Sequence, residues 1–272
     1  MRLRPLFALL VLTSAPSWAI ERIVSLSPHT TELAFSAGLG DKLIGVSEYS
    51  DYPDQAQRIE RVANYQGFKL ERIIALEPDL ILAWPGGNPA KELDKLAQLG
   101  FEIYYSQAHS IPDIAENIER LGQFADDPSV AKQRAEQFRQ TLNDMAQRYN
   151  TSQPVRYFYQ LSESPIISVA QGNWPSEVFT FCGGVNVFED AAMPYPQVGM
   201  EQVLLANPEV IFTSEHAIAN GSMWQRWQSE LTAVQANNVW SLHSDWINRP
   251  TMRTLKAIEQ VCDYFQQARE KR

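Results

Sequence analysis

The sequence predicts an α/β protein built as two Rossmann-like lobes. Each lobe is a mainly parallel sheet with flanking helices, one long helix stands between them in the chain, and two lobes make a ligand cleft. Three observations carry this. Apolar runs of strand length alternate with helical periods along the chain. One unit occurs twice: residues 70–84 (LERIIALEPDLILAW) return as residues 200–214 (MEQVLLANPEVIFTS), with Glu71 over Glu201, Pro78 over Pro208 and Ile81 over Ile211. A charged helical stretch without Gly separates the copies. Helix, Pro and buried strand also form a common α/β junction, so chance recurrence is the competing explanation.

The elements read as follows. Residues 22–26 (RIVSL) form a strand, Ser27-Pro28 a turn, and 29–39 a helix closed by Gly38 and Gly40. Residues 43–47 form the next strand, followed by loops at 48–53 and 64–68. The first repeat helix and its strand at 79–84 come next, then Gly86-Gly87-Asn88-Pro89 opening a helix to Leu99. A strand at 102–105 and a helix at 111–122 complete the N-terminal lobe, residues 20–125. Asp127-Pro128 is a strong helix start, and the helix runs to about Tyr149 within a linker at 126–150. At ~1.5 Å per residue it spans roughly 33 Å, the width of a lobe, as a strut or as an ordinary surface helix. The C-terminal lobe, residues 151–272, repeats the alternation: strands at 155–161, 210–213 and 239–242, and helices at 175–181, 200–206, 222–235 and 250–268.

Residues 1–19 read as a signal peptide. Arg2 and Arg4 precede the apolar run LFALLVL, and Ser17-Trp18-Ala19 supplies small residues for cleavage after Ala19. The run is too short to span a bilayer, so no membrane insertion is expected. No Cys adjoins the cleavage site, which argues against a lipid anchor. A free, exported protein fits the periplasm of a Gram-negative cell. The full chain carries −9; without Arg2 and Arg4 it carries −11. That balance argues against nucleic acid and anionic lipid as partners. The two cysteines, Cys182 and Cys262, form one disulfide in an oxidising compartment or stay as two buried thiols.

Ligands of open α/β sheets sit beyond the carboxyl ends of the strands. Here those ends lead to Ser27-Pro28-His29, to Tyr49 within 48–52, to Tyr65, to Trp84 before Gly86-Gly87-Asn88, to Tyr195 between Pro194 and Pro196, and to Asp245-Trp246-Ile247-Asn248-Arg249. These tips are rich in aromatics and poor in Lys and Arg, which suits a large, flat, mostly neutral ligand. Asp245 and Arg249 either pair with each other or point polar groups at ligand amides. Glu71 and Glu201 each sit in a helix first turn. A carboxylate there favours the helix dipole; an equivalent pair on two lobes also suits two Arg pockets of a two-fold symmetric partner.

Catalytic signatures are missing: no G-x-S-x-G elbow, no phosphate-binding Gly loop after a strand, and no thiolate if the cysteines pair. His29, His109, His216 and His243 show no metal-ligand spacing. The reading is no enzyme, no cofactor and no bound metal of its own, with His29 the one histidine on a strand tip.

Four segments together resemble the periplasmic vitamin B12 (cobalamin)-binding proteins of cobalamin ABC importers: LSPHTTELAFSAGLGDKLIGVSEYSDYP, YQGFKLERIIALEPDLILAW followed one residue on by GGN, PYPQV, and SDW with Arg three residues on. The LERIIALEPDL segment alone is shared by the wider class of siderophore, heme and cobalamin receptors; the other motifs are more specific. The resemblance implies lobes on one rigid helix with little closure. It implies cobalamin held edge-on by Tyr49, Tyr65, Trp84, Tyr195 and the 245–249 loop, and a Cys182–Cys262 bond. It implies delivery to an inner-membrane complex of two permease and two ATPase subunits, docked through Glu71 and Glu201, by a receptor that is monomeric when free. Tyr65 and Tyr195 stand where the family is expected to carry Trp, and His29 where it often has a small residue.

The competing readings are the same fold serving heme or a ferric siderophore, and an exported α/β enzyme. A siderophore receptor needs several cations at the tips, where Arg249 stands alone. Heme needs an axial ligand, for which His29 and Tyr49 are candidates.

Overall fold

The computed structural model describes residues 20–215 and 222–272. The signal segment and His216 lie outside the described residues. The first sheet holds β1 (Ile23–Ser25), β2 (Leu43–Ser47), β3 (Arg61–Asn64), β4 (Gly67–Phe68), β5 (Leu80–Ala83) and β6 (Ile103–Tyr105) in the order β4-β3-β2-β1-β5-β6. All pairs are parallel except β3 with β4. Its helices are α1 (Pro28–Ser36), α2 (Leu70–Ala75), α3 (Ala90–Gln98) and α4 (Asp113–Leu121), and α5 (Pro128–Arg148) follows.

The second sheet holds β7 (Val155–Gln160), β10 (Gly184–Asn186), β11 (Val210–Ser214) and β12 (Val239–Leu242), all parallel, in the order β10-β7-β11-β12. A small hairpin of β8 (Ser162–Glu163) and β9 (Ile166–Ile167) extends from β7. The helices are α6 (Trp174–Phe181), α7 (Met200–Ala206), α8 (Ser222–Gln225), α9 (Thr232–Gln235), α10 (Ser244–Asn248) and α11 (Thr254–Glu270).

The strands bury both faces, as strands of a parallel sheet must. In β5, Leu80 and Leu82 face one cluster while Ile81 and Ala83 face another; in β7, Tyr157 and Tyr159 oppose Phe158 in the same way. The repeated unit is structural: α2 leads to β5 beside β1, and α7 leads to β11 beside β7.

One core cluster runs through both lobes. Ala131, Ala135, Phe138 and Leu142 of α5 belong to the same buried cluster as Ile114 and Ile118 of α4 and Val261 and Phe265 of α11. The spacing of those four residues puts them on one helical face. Asp127 caps the helix by accepting the Ser129 amide at 2.9 Å. Arg139 grips Glu119 of α4 with both fork nitrogens, at 2.9 and 2.7 Å. Beyond its other end, Tyr149 donates to Asp263 of α11 at 2.8 Å. Burial and that carboxylate push the Tyr149 phenol up to about 12. A helix packed along its length into both lobes is a strut, which restricts hinge motion.

Several expected boundaries shift. Residues 64–68 are no loop: they belong to the β3–β4 hairpin, whose two-residue turn is Tyr65-Gln66, with Asn64 Oδ1 accepting the Gln66 amide at 2.8 Å. The helix expected at 222–235 is broken into α8 and α9, because Asn207 Oδ1 accepts the Thr232 amide and starts a new helix there. The closing helix begins at Thr254, not 250, since the Thr251 hydroxyl accepts the Arg253 amide and shapes a turn first. Residues 244–248 form a one-turn helix, not a loop.

Candidate functional site

In the first sheet the chain leaves β1 toward β2 on one side and later returns to β5 on the other, so the topology switches at β1. The crevice at a switch point, beyond the strand carboxyl ends, is where open sheets take ligands. His29 follows β1 and Trp84 follows β5 there.

The indole of Trp84 lies on bare backbone. Trp84 O accepts the amides of Gly87 and Asn88. Asn88 Oδ1 accepts the Trp84 amide at 2.7 Å, and its Nδ2 donates to Leu26 O at 2.9 Å. A Cβ at Gly87 would stand 2.1 Å from the Trp84 ring, and one at Gly86 2.9 Å from its Nε1. The Gly-Gly-Asn sequence therefore exists to seat the ring. Tyr49 reaches outward from a left-handed backbone, φ 63, which an aromatic residue adopts only under constraint from its surroundings. Tyr65 stands at the hairpin tip and is 85% exposed. On the other lobe, Pro194 O accepts from Ala170 N and Asn173 Nδ2, and Pro196 O from Ser168 N. The prolines either side of Tyr195 are thus pinned and the ring between them is left exposed.

The 245–249 segment behaves differently from its sequence reading. Ile247 is only 1% exposed and joins the core cluster, because the one-turn helix turns that side chain inward. Its carbonyl accepts Trp174 Nε1 at 3.0 Å. As a ligand-contacting side chain it is a correction. Trp246 stacks on His243 with centroids 4.3 Å apart. Asn248 is exposed and its Oδ1 accepts from Tyr159 Oη at 3.4 Å.

Asp245 and Arg249 pair at 2.6 Å, and the same guanidinium meets Glu32 at 3.2 Å and Asp51 at 3.1 Å in the opposite lobe. Glu32 also accepts a two-point contact from Arg253, Nε to Oε2 at 2.9 Å and Nη2 to Oε1 at 2.5 Å. The Arg253 guanidinium lies 4.4 Å above the Tyr52 ring. Two arginines of the C-terminal lobe thus clasp two carboxylates of the N-terminal lobe. Glu32 and Arg253 carry no sequence signal of their own: each reads as one polar residue on a helix.

His29 is 5% exposed, with its ring edge-on to Trp84 at 5.2 Å. Burial and the Arg249 guanidinium lower its pKa to about 3. The unfolded chain protonates this histidine near 6.5 and the folded one does not, so protons favour unfolding. We expect stability to fall as pH drops from about 6.5 toward 3. From pH 7 to pH 5 the His29 share is about 2 kcal/mol. His29→Gln should abolish that share, seen in urea midpoints at the two pH values; parallel losses in both proteins would refute it.

Glu71 and Glu201 are both exposed in the first turns of α2 and α7. Leu205 on α7 is 88% exposed, and Ile74 on α2 also reaches solvent. The structure joins Cys182 to Cys262 in a disulfide. No helix among the described residues is long and apolar enough to cross a membrane.

Comparison with known proteins agrees with this geometry. A family model described as periplasmic binding protein matches residues 23–246. A vitamin B12-binding protein of Vibrio parahaemolyticus is 59% identical over 266 residues, 98% of this chain and 96% of the relative. Its counterpart in Vibrio cholerae is 60% identical over 94% of this chain and 93% of the relative. The crystal structure of the periplasmic vitamin B12 binding protein BtuF of Vibrio cholerae superposes with TM-score 0.89 at 60% identity, covering 92% of this chain and 98% of that one. A periplasmic heme-binding protein, BhuT, superposes with TM-score 0.81 at 18% identity, covering 91% and 98%, a likeness of fold alone. These relatives are named as binding proteins, not as enzymes.

Proposed function

The chain belongs to the periplasmic binding protein family, and on that premise we propose that it captures vitamin B12 in the periplasm and delivers it to an inner-membrane ABC transporter. One observation supports the ligand class above others: the strand tips offer Tyr49, Tyr65, Trp84 and Tyr195 as exposed flat faces, while the cations beside them are already paired. Flat, neutral surface with paired charge favours a large macrocycle bearing amides over an anionic chelate. In this reading the corrin edge enters between the aromatic tips. Asp245, Trp246, Asn248 and Arg249 form the far rim, and the clasp forms the floor. Glu71 and Glu201 are the docking carboxylates for paired arginines of a two-fold symmetric permease. Reversing both charges leaves B12 affinity unchanged and lowers uptake in cells; unchanged uptake would count against that role.

Calorimetric titration of residues 20–272 with cyanocobalamin, and in parallel with hemin, tests the ligand. One-to-one cobalamin binding tighter than about micromolar, near −8 kcal/mol, is the expected result. Binding of hemin alone would reassign the cleft. Gly87→Ala should displace the Trp84 ring and weaken cobalamin binding about tenfold, on the order of 1.4 kcal/mol, with the melting midpoint held. Wild-type affinity in that variant would remove Trp84 from the site.

A further inference from the structure

His29 is the second residue of α1, at the carboxyl end of the switch-point strand. Its Nδ1 lies 3.2 Å from Ser27 Oγ. The Ser27 and Thr30 hydroxyls, 2.8 Å apart, belong to a network that also takes in Ser25 Oγ, 2.7 Å from Thr30 Oγ1, and the Ser27 carbonyl. When Ser27 donates within that network its oxygen accepts from Nδ1–H, which leaves the lone pair on Nε2, and this is the tautomer that a metal selects.

Among the described residues Nε2 has no hydrogen-bond partner, and it is not one of the sealed side-chain atoms that lack one, so it opens onto the space beside Trp84. An imidazole fixed through Nδ1–H with Nε2 presented outward is the arrangement of a metal-binding histidine. No group of three or more His, Cys, Asp or Glu among the described residues could hold a metal ion. A single imidazole holds a metal only when the metal brings its other ligands, as the metal of a planar macrocycle does.

We propose that His29 Nε2 coordinates the cobalt of a bound corrinoid whose axial ligand is exchangeable. This rests on the corrinoid reading above. The cobalt–oxygen bond to the axial water breaks and the water leaves intact. The Nε2 lone pair forms the cobalt–nitrogen bond, Nδ1 keeps its hydrogen on Ser27, and no electron changes hands. A corrinoid whose axial position is closed by cyanide binds through the aromatic walls alone.

The test is a visible-absorption titration of the untagged mature protein with aquocobalamin and with cyanocobalamin, binding being measured separately by equilibrium dialysis. The aquocobalamin bands should move to those of its imidazole complex, and the cyanocobalamin bands should not move. His29→Ala should bind both with no band shift, and added imidazole should restore the shift. Ser27→Ala, which removes the Nδ1 partner, should weaken aquocobalamin binding about tenfold and leave cyanocobalamin binding unchanged. Wild-type protein that binds aquocobalamin with unmoved bands overturns the proposal, and so does a shift retained in His29→Ala. Should the variant fail to fold, the wild-type arm decides. Wild-type protein that binds no corrinoid overturns the functional reading, and this proposal with it.

Discussion

Glu32→Ala is expected to cost about 3–5 kcal/mol of stability, the loss seen when one partner leaves a buried charge cluster. Glu32 is 4% exposed and accepts from Nε and Nη2 of Arg253 and from Nη1 of Arg249. Without it, the Arg253 guanidinium keeps, among the described residues, a 3.8 Å contact to Asp245 and the Tyr52 ring face. A guanidinium that stays buried with so little compensation is the main cost. The lesion also lies between the lobes, so cobalamin affinity should fall together with the denaturation midpoint. Glu32→Leu combined with Arg253→Met removes both charges and keeps volume, and should recover much of the loss, since apolar replacement of a buried pair is often neutral. Urea denaturation of the single and double variants reads both quantities. A single variant that loses less than about 1 kcal/mol would place the clasp with ordinary surface ion pairs.

Much of the fold is legible in the chain because its signals are local. Each strand of the paired repeats is an apolar run behind a Pro, and the pattern returns in β5 and β11. The strut announces itself by Asp127-Pro128 and a long stretch without Gly. The aromatic tips are legible for the same reason: strand ends can be read off, and whatever follows them faces the crevice. What escapes is set by distance. Glu32 and Arg253 meet across 221 positions, and nothing near either residue reports the other. Ile247 shows the opposite failure. Its neighbours in the motif point it to the site, but one helical turn separates inward from outward, and a motif does not say which side faces in. The β3–β4 hairpin lacks the usual Asn-Gly turn pair; Asn64 and Gly67 flank its turn instead of filling it.

Replacing Cys182 and Cys262 together by Ala should cost about 4 kcal/mol while leaving ligand affinity intact. The bond spans 80 positions, and closing a loop of that length restricts the unfolded chain by about that amount. The loop encloses β10, β11 and β12, most of the second sheet. Both sulfurs are buried against α11, beside a cluster in which Tyr157 and Phe179 stack at 4.3 Å and Phe212 and Phe265 lie 5.4 Å apart. The Cys→Ser pair should be worse by about a further 1 kcal/mol or more, because it buries two hydroxyls in that apolar setting. Position separates stability from binding. The helix α6 starts at Trp174, whose indole nitrogen holds the Ile247 carbonyl near the cleft rim, and ends at Phe181 with Cys182 as its C-cap. There the Gly183 carbonyl accepts the amide of Val155, the first residue of β7. The disulfide therefore sits at the amino ends of the strands, and ligands meet their carboxyl ends. Thermal melting with a cobalamin titration run well below the midpoint distinguishes the two. A lowered midpoint with unchanged affinity is the expected pair of results. A parallel fall in affinity would mean that the bond, and not the strut and the clasp, holds the cleft wall in place.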